Sequence, residues 1–150
     1  MQIVSPAFAA NDSIPAEYTC DGGGHNPPLE FLDVPTDAKS LVLIMEDPDV
    51  PHHLRADGMF DHWVVWNIPP ETREVAQGKN PPGESGANTR GATGYTPPCP
   101  PDREHRYFFK LFALSARLDL PSGATKSEVL VAAQNFIIAE AELIGRYNRS

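Results

Sequence analysis

The stretch Leu41-Val-Leu-Ile-Met45, followed directly by Glu46-Asp47, is the most informative segment for the fold. Five consecutive apolar residues that end in two acidic residues predict a short buried strand. The stretch His62-Trp-Val-Val-Trp-Asn-Ile68 predicts a second strand, which Pro69-Pro70 would end. The two strands are close enough in the chain to pair antiparallel through the connection 48–60.

Three further strands and one helix follow from the rest of the pattern. Arg106-Tyr-Phe-Phe-Lys-Leu-Phe-Ala-Leu114 predicts a strand rich in aromatic residues, and 29–34 and 137–147 predict two weaker ones. Thr125-Lys-Ser-Glu128 is a capping box, in which each side chain satisfies a free backbone N–H at the start of a helix. The apolar residues that follow at helical spacing are Val129, Leu130, Ala133 and Phe136.

Proline is the outlier of the composition. The chain has 16 prolines among 150 residues, and 13 of the 33 residues from Pro69 to Pro101 are Pro or Gly. Proline disfavours long helices, and a long segment with little regular structure in a compact domain usually has a function. A chain of this length suits one domain, residues 1–150. We expect a mainly β, antiparallel two-sheet sandwich with one or two short helices.

Charge and leader signals limit the function classes. The formal net charge of −8 argues against a nucleic-acid binder and against docking on an anionic membrane. No apolar run is long enough for a membrane span, and the first residues lack the pattern of a secretory signal. We therefore expect a cytoplasmic protein that is not an integral membrane protein. Cys20 and Cys99 are expected to be thiols there, although a disulfide stays open if the fold brings them together.

Polar residues cluster at the ends of the predicted strands. Asp47 ends the first strong strand, His62 begins the next, and His105 precedes the third. Because side chains alternate along a strand, His105, Tyr107 and Phe109 share one face. A carboxylate, two imidazoles and a phenol could therefore meet at one rim. Imidazole and phenol groups can donate hydrogen bonds to phosphate oxygens, so this group predicts an anion-binding site. Ordinary polar residues capping strand ends are the alternative.

Two other kinds of site carry weaker signals. His52-His53, near Asp49, Asp57 and Asp61, contain residue types that bind metals, but adjacent histidines on an irregular loop indicate a solvated loop more often than a site. Cys99 near His62 or His105 could serve as a thiol nucleophile. The prolines that flank Cys99 remove backbone N–H donors, which argues against an oxyanion hole in that loop.

The chain resembles the phosphatidylethanolamine-binding protein family, in its bacterial and archaeal branch of Raf kinase inhibitor-like proteins. The resemblance covers nearly the whole chain and rests on several motifs taken together. The motifs are Ile14-Pro-Ala-Glu-Tyr-Thr-Cys-Asp-Gly22, Asn26-Pro-Pro-Leu29, Asp47-Pro-Asp-Val-Pro51, His62-Trp-Val-Val-Trp-Asn-Ile-Pro69, Gly94-Tyr95, and Pro98-Cys-Pro-Pro101 leading to His105-Arg-Tyr107.

The resemblance implies a Greek-key sandwich with a pocket for phosphate or a phosphorylated head group. The family's anion-binding residues correspond to Asp47, His62, His105 and Tyr107. The implied pocket wall consists of Asp49, Phe60, Pro98, Cys99, Pro100 and Pro101. The family also implies cis peptide bonds in the Asp-Pro stretch. One departure is Thr96-Pro97, where the family pattern has glycine before Pro98; this proline would remove a backbone donor and narrow the entrance.

The sequence thus predicts a non-enzymatic protein that binds phosphate or a phosphorylated small molecule and needs no cofactor or metal. From the family we expect some members to regulate a kinase, phosphatase or protease through a protein partner. His62 and His105 would titrate near neutrality, so anion binding should strengthen as the pH falls toward 6. Two alternatives remain: a metal- or cysteine-dependent hydrolase that uses the same pocket, and a protein-interaction module with the pocket unused.

Overall fold

The computed structural model describes residues 1–149, which fold into two antiparallel sheets with one α-helix and one short 3-10 helix. The predicted mainly β sandwich is confirmed. The strands are β1 (Gln2–Val4), β2 (Leu29–Leu32), β3 (Ser40–Asp47), β4 (Phe60–Ile68), β5 (Glu74–Val75), β6 (Glu84–Ser85), β7 (His105–Leu114) and β8 (Ile137–Tyr147); the helix is α1 (Lys126–Ala133), and the 3-10 helix spans Ala16–Tyr18.

The larger sheet has the strand order β6-β4-β3-β7-β8, and the smaller one has the order β1-β2-β5. Strand β3 lies at the centre of the larger sheet, so Met45 pairs with Trp63 of β4 on one side and Phe109 of β7 on the other. The antiparallel register places the end of β3 beside the starts of β4 and β7. Asp47 accordingly pairs with Phe60 across the first of these interfaces.

The central strand is apolar throughout because both of its faces are buried. Leu43 and Met45 face the core between the two sheets, where Trp63 also packs. Val42 and Ile44 face the opposite way, into a second core under α1. Alternation along β3 therefore separates two cores, which explains why the sequence shows an unbroken apolar run rather than an alternating one.

The predicted helix forms, and its capping box is present. The Thr125 hydroxyl accepts a hydrogen bond from the backbone N–H of Glu128 at 3.2 Å, and the Glu128 carboxylate accepts from the N–H of Thr125 at 3.1 Å. Val129 and Ala133 are buried against the larger sheet. The prediction that Phe136 continues the apolar face is wrong, because the helix ends at Ala133 and Phe136 lies beyond it with 39% of its surface exposed.

Cys20 and Cys99 form a disulfide, with Cα atoms 5.4 Å apart. The expectation of two free thiols is therefore wrong. The 3-10 helix Ala16–Tyr18 brings Cys20 beside the loop before β7, and the backbone N–H of Cys20 donates to the carbonyl of Pro98 at 3.0 Å. Residues 79 positions apart thus meet because a backbone hydrogen bond holds the two loops together.

Two further backbone features bear on the sequence analysis. All peptide bonds in the described range 1–149 are trans, so the cis bonds implied for the Asp-Pro stretch are not found. In the same range, no helix combines the length and apolar character that crossing a bilayer requires.

Candidate functional site

A cavity of about 470 Å³ opens where the end of β3 meets the starts of β4 and β7. The proline-rich loop before β7 and the loop between β3 and β4 complete its walls. Its lining consists of Cys20, Asp47, Val50, Leu54, Arg55, Phe60, His62, Arg90, Thr96, Pro97, Cys99, Pro100, Pro101, His105 and Tyr107. The volume falls within the range of small-molecule sites.

All four residues expected to bind the anion line this single cavity: Asp47, His62, His105 and Tyr107. Four of the six expected wall residues also line it: Phe60, Cys99, Pro100 and Pro101. The strand register explains this convergence, because residues from three neighbouring strands reach the same end of the sheet.

Asp49 and Pro98 are placed differently from the expectation. The Asp49 carboxylate accepts two hydrogen bonds from the Arg106 guanidinium, at 2.8 and 2.9 Å, and a third from the Arg106 backbone N–H at 2.8 Å. These bonds from Arg106 hold the pKa of Asp49 below its ordinary value. Pro98 is buried behind the wall, where its carbonyl binds Cys20. Both residues therefore fix the loops around the cavity rather than line it.

His62 is a buried neutral imidazole. Its Nδ1 lies 2.7 Å from the Thr96 carbonyl oxygen, so Nδ1 carries the proton and donates it. Burial and, to a smaller extent, the nearby His105 lower the pKa of His62 to about 4, despite the opposing effect of the bond to Thr96. At neutral pH, Nε2 is therefore a hydrogen-bond acceptor. The expectation that His62 titrates near neutrality is wrong, because desolvation disfavours its charged form.

His105 lies between two carboxylates. Its Nδ1 is 2.6 Å from Oδ2 of Asp47, and its Nε2 is 2.7 Å from Oδ1 of Asp102. Only 1% of the His105 side chain is exposed. Burial raises the pKa of Asp47, and the hydrogen bond from His105 counteracts this only in part. Desolvation acts to raise the pKa of Asp102, but the hydrogen bond from His105, the charge of His105 and the contacts with Arg103 together leave that pKa lowered.

Tyr107 supplies an unused donor at the same place. Its side chain is fully buried between the two histidine rings, whose centroids lie 5.4 Å (His62) and 6.4 Å (His105) from its own. In the part of the chain that the structure describes, the Tyr107 hydroxyl has no hydrogen-bond partner. Burial and then the Asp47 carboxylate raise its pKa, so the hydroxyl keeps its proton. A buried polar group without a partner is costly, which makes this hydroxyl the clearest point of attachment for a ligand.

Thr96 and Pro97, which the sequence analysis placed at the entrance, line the cavity. Six other residues of the site were not predicted as part of it: Cys20, Val50, Leu54, Arg55, Arg90 and Asp102. For Val50, Leu54 and Arg55 a signal existed, because the loop that carries them begins and ends at predicted site residues. Asp102 lies three residues before His105, which places its carboxylate within reach of the ring. Cys20 and Arg90 come from distant segments, and nothing local in the sequence indicates that they reach the cavity.

The residues behind the two weaker predictions make other contacts. His52 is exposed, and its Nδ1 hydrogen-bonds the Ala56 carbonyl at 2.9 Å. Across residues 1–149, no His, Cys, Asp and Glu side chains form a group of three suited to a metal ion. Cys99 has no thiol in the disulfide-bonded form, which removes the cysteine-dependent hydrolase from consideration for that form.

Comparisons with known proteins agree with the motifs. The family model described as phosphatidylethanolamine-binding protein matches residues 4–148. The UPF0098 protein of Chlamydia trachomatis is 49% identical over 149 residues, with 99% of each chain covered. That of Methanothermobacter thermautotrophicus is 44% identical over 155 residues, again with 99% of each covered.

Solved structures share the fold. The crystal structure of a C. trachomatis homologue of phosphatidylethanolamine-binding protein superposes with a TM-score of 0.97 at 48% identity, covering 99% of this chain and 97% of the other. E. coli YbcL, described as a member of the mammalian family, superposes with a TM-score of 0.88 at 27% identity, covering 99% and 98%. This chain belongs to the phosphatidylethanolamine-binding protein family.

Proposed function

We propose that this protein is a non-enzymatic binding protein that holds the phosphate group of a small molecule or head group in the cavity. The observation that carries the proposal is the buried, unpartnered hydroxyl of Tyr107 beside His62 and His105. A ligand oxygen that accepts a hydrogen bond from this hydroxyl would satisfy a buried donor that has no partner among residues 1–149.

Two polar groups that face each other in the cavity lining, the Tyr107 hydroxyl and Nε2 of His62, have opposite hydrogen-bonding roles. The Tyr107 hydroxyl donates, whereas Nε2 of neutral His62 accepts. A singly protonated phosphate monoester matches both, because its P–O oxygens accept and its P–OH donates. Sulfate and an ionised carboxylate carry no such donor at neutral pH. The cavity therefore favours phosphate over other anions of similar size.

The rest of the lining suits the organic part of a phosphate ester. Val50, Leu54 and Phe60 provide apolar surface, and the cavity is considerably larger than a phosphate group. Arg55 and Arg90 also line it and offset locally the net charge of −8, which would otherwise oppose an anion. We therefore expect a phosphate ester with an apolar group to bind more tightly than inorganic phosphate.

Calorimetry with phosphate, phosphoethanolamine and sulfate at pH 6, 7 and 8 tests the proposal. Phosphoethanolamine should bind, and its affinity should fall by roughly tenfold for each pH unit above the second phosphate pKa of about 6, because the protonated form is the one bound. Sulfate should bind more weakly and with little dependence on pH over this range. Equal affinities for phosphate and sulfate, or an affinity for phosphoethanolamine that does not change with pH, would count against this function.

A matched pair of variants shows whether Tyr107 is the attachment point. Tyr107→Phe should weaken phosphate binding by about tenfold or more, since a hydrogen bond to a charged group is lost. Tyr95→Phe is the control, because the Tyr95 hydroxyl already donates to the carbonyl of Tyr18 at 2.8 Å and does not line the cavity. It should leave phosphate binding unchanged. An unaltered affinity in Tyr107→Phe would contradict the proposal.

We further propose, from family membership alone, that occupancy of the cavity affects the capture of a protein partner such as a kinase, phosphatase or protease. Capture that depends on phosphate and is lost in Asp47→Ala or His62→Ala would support this regulatory role. Capture that survives both changes would support the alternative of an interaction module with the cavity unused.

A further inference from the structure

Both ring nitrogens of His105 are already hydrogen-bonded within the protein. Nδ1 lies 2.6 Å from the Asp47 carboxylate, and Nε2 lies 2.7 Å from the Asp102 carboxylate. His105 lines the cavity, yet these two bonds use its whole hydrogen-bonding capacity. In this state the imidazole offers no N–H to a ligand, whereas the neighbouring Tyr107 hydroxyl is unpartnered.

The two carboxylates are held very differently. Asp47 ends β3, its side chain is 4% exposed, and its Oδ1 also accepts a hydrogen bond from the backbone N–H of Asp49 at 2.8 Å. Asp102 lies outside the strands, and its side chain is 37% exposed. It lines an outer depression together with Arg103 and Arg149, and this depression shares Pro100 and Pro101 with the cavity. Asp47 is therefore fixed, whereas Asp102 reaches His105 from a solvated turn.

Asp102 also has a second cationic partner nearby. Its Oδ2 lies 3.7 Å from Nε of Arg103, whose side chain is 60% exposed. A carboxylate that leaves His105 would remain close to this guanidinium and to water. Release of Asp102 therefore exposes no unpaired buried charge on its own side, in contrast to release of Asp47, which would leave a buried carboxylate unpaired.

We propose that Asp102 is a specificity-determining residue of the anion site: it is an internal anion that occupies Nε2 of His105 and competes with the ligand for it. This inference rests on the proposed function, and under it the Asp102 carboxylate limits the affinity of the cavity for phosphate. A ligand gains the His105 N–H only if its interaction exceeds that of the Asp102 carboxylate. A singly protonated phosphate, which can also accept from the Tyr107 hydroxyl and donate to Nε2 of His62, meets this condition better than a simple carboxylate, so Asp102 selects for phosphate.

Three variants separate competition at His105 from a general effect of charge. Asp102→Ala removes the competing group, and Asp102→Asn keeps its shape and a neutral acceptor. Glu104→Ala is the matched control. It removes a carboxylate of the same charge two residues from Asp102, and the Glu104 side chain pairs with Arg146 at 3.0 Å rather than with His105. Inorganic phosphate is the probe, measured by calorimetry at pH 7, with thermal unfolding of each variant recorded in parallel.

We expect Asp102→Ala to bind phosphate about tenfold more tightly than the wild-type protein, because one charge-assisted hydrogen bond no longer has to be broken. Asp102→Asn should bind with intermediate affinity, and Glu104→Ala within about twofold of wild type. In ¹⁵N NMR spectra, the Nε2 signal of His105 in Asp102→Ala should shift on addition of phosphate. A merely structural role for Asp102 would not produce that shift.

The outcomes distinguish this inference from the proposed function. Suppose the wild-type protein binds phosphate through Tyr107 but the Asp102 variants bind it equally or more weakly. This result would contradict the competition between Asp102 and the ligand, and it would leave the proposed function unaffected. Equal tightening in Glu104→Ala would also overturn it, since the effect would then be one of overall charge. Absence of phosphate binding in the wild-type protein and in both Asp102 variants would overturn the two proposals together.

Discussion

Two neighbouring residues of β3, Glu46 and Asp47, show how differently this protein treats buried carboxylates. Glu46 faces α1, where its two oxygens lie 3.2 Å from Nζ of Lys110 and 3.3 Å from Nζ of Lys126. Lys126 also contacts Asp61 at 2.7 Å. This helix-side cluster holds two carboxylates and two ammonium groups, so its charges balance.

Asp47 faces the cavity, where hydrogen-bonding groups rather than ion pairs decide the arrangement. There, Asp47 and Asp102 share one imidazole, that of His105. His62 is held neutral by burial, and the Tyr107 hydroxyl has no partner among the described residues. On one face of β3, the charged groups are thus paired within the protein. On the other face, a ligand would supply the missing hydrogen-bond partner. Under the proposed function, the first face contributes to stability and the second to binding.

The largest effect on stability should come from the disulfide, which only the cavity side has. Joining Cys20 to Cys99 restricts a loop of 79 residues in the unfolded chain, and the chain-entropy model gives about 4 kcal/mol for that restriction. We expect the double change Cys20→Ser, Cys99→Ser to lower the free energy of unfolding by about 2 to 4 kcal/mol. Urea unfolding with and without a reductant measures this.

The reductant itself provides the control for that experiment. It should destabilise the wild-type protein and leave the double variant unaffected. Full stability of the wild-type protein under reducing conditions would contradict the prediction that the disulfide stabilises the fold by restricting the unfolded chain.

The next largest effect should come from breaking the balanced cluster. Burial alone would lower the pKa of Lys126, but Asp61 and Glu46 raise it above its ordinary value. Lys126→Met would leave these two largely buried carboxylates poorly compensated, at a cost of about 2 to 3 kcal/mol. Denaturant unfolding should show the loss, while the affinity for phosphate stays unchanged.

Lys110→Met serves as the comparison within the same cluster. The Lys110 side chain is 32% exposed, and its ion pair is with Glu46, so its loss should cost less than about 1 kcal/mol. Equal losses in the two variants, or weaker phosphate binding in Lys126→Met, would show that the two faces of β3 are not independent.

On the cavity side, the buried His62 should make stability depend on pH. The pKa of His62 is about 4 in the folded protein and about 6.5 when unfolded, so the unfolded chain takes up the proton more readily. Stability should therefore decrease as the pH falls below about 6.5 and level off near 4. Between pH 7 and pH 5 the loss from His62 is about 2 kcal/mol.

Unfolding curves of wild-type protein and His62→Phe, recorded from pH 7 to pH 5, isolate this contribution because other titrating groups are common to both. The variant should lose about 2 kcal/mol less than the wild-type protein over this interval. Parallel stability profiles for the two proteins would mean that His62 is not held neutral by burial.

The smallest effect on stability should come from Tyr107→Phe. Its hydroxyl has no partner to lose, so its removal should change the free energy of unfolding by less than about 1 kcal/mol and could increase it. Tyr95→Phe breaks a hydrogen bond and should cost about 1 kcal/mol. A larger loss in Tyr107→Phe than in Tyr95→Phe would indicate that the Tyr107 hydroxyl already has a structural partner.

The parts of this molecule that follow from local pattern were predicted well. The apolar run ending at Asp47, the strand starting with His62 and the alternation after His105 place three strand ends at one rim, because strand geometry fixes which residues share a face and an edge. Four polar residues of the cavity could therefore be named from the sequence.

The parts that depend on distant segments or on desolvation could not be predicted. The proximity of Cys20 to Cys99 depends on how two loops pack. The position of Arg90 in the cavity lining likewise depends on loop packing. The pKa of His62 depends on its burial, which local sequence does not specify. Asp49 was misplaced because sequence proximity to Asp47 does not reveal that Arg106 binds its carboxylate.

The most direct test of the account is where phosphate binds in a crystal of this protein. We predict one phosphate in the cavity, with its oxygens about 2.5 to 3.0 Å from Oη of Tyr107 and from Nε2 of His62. Phosphate bound elsewhere, or a cavity without phosphate at concentrations that saturate the protein in solution, would contradict the claim that the unpartnered groups of this cavity form the binding site.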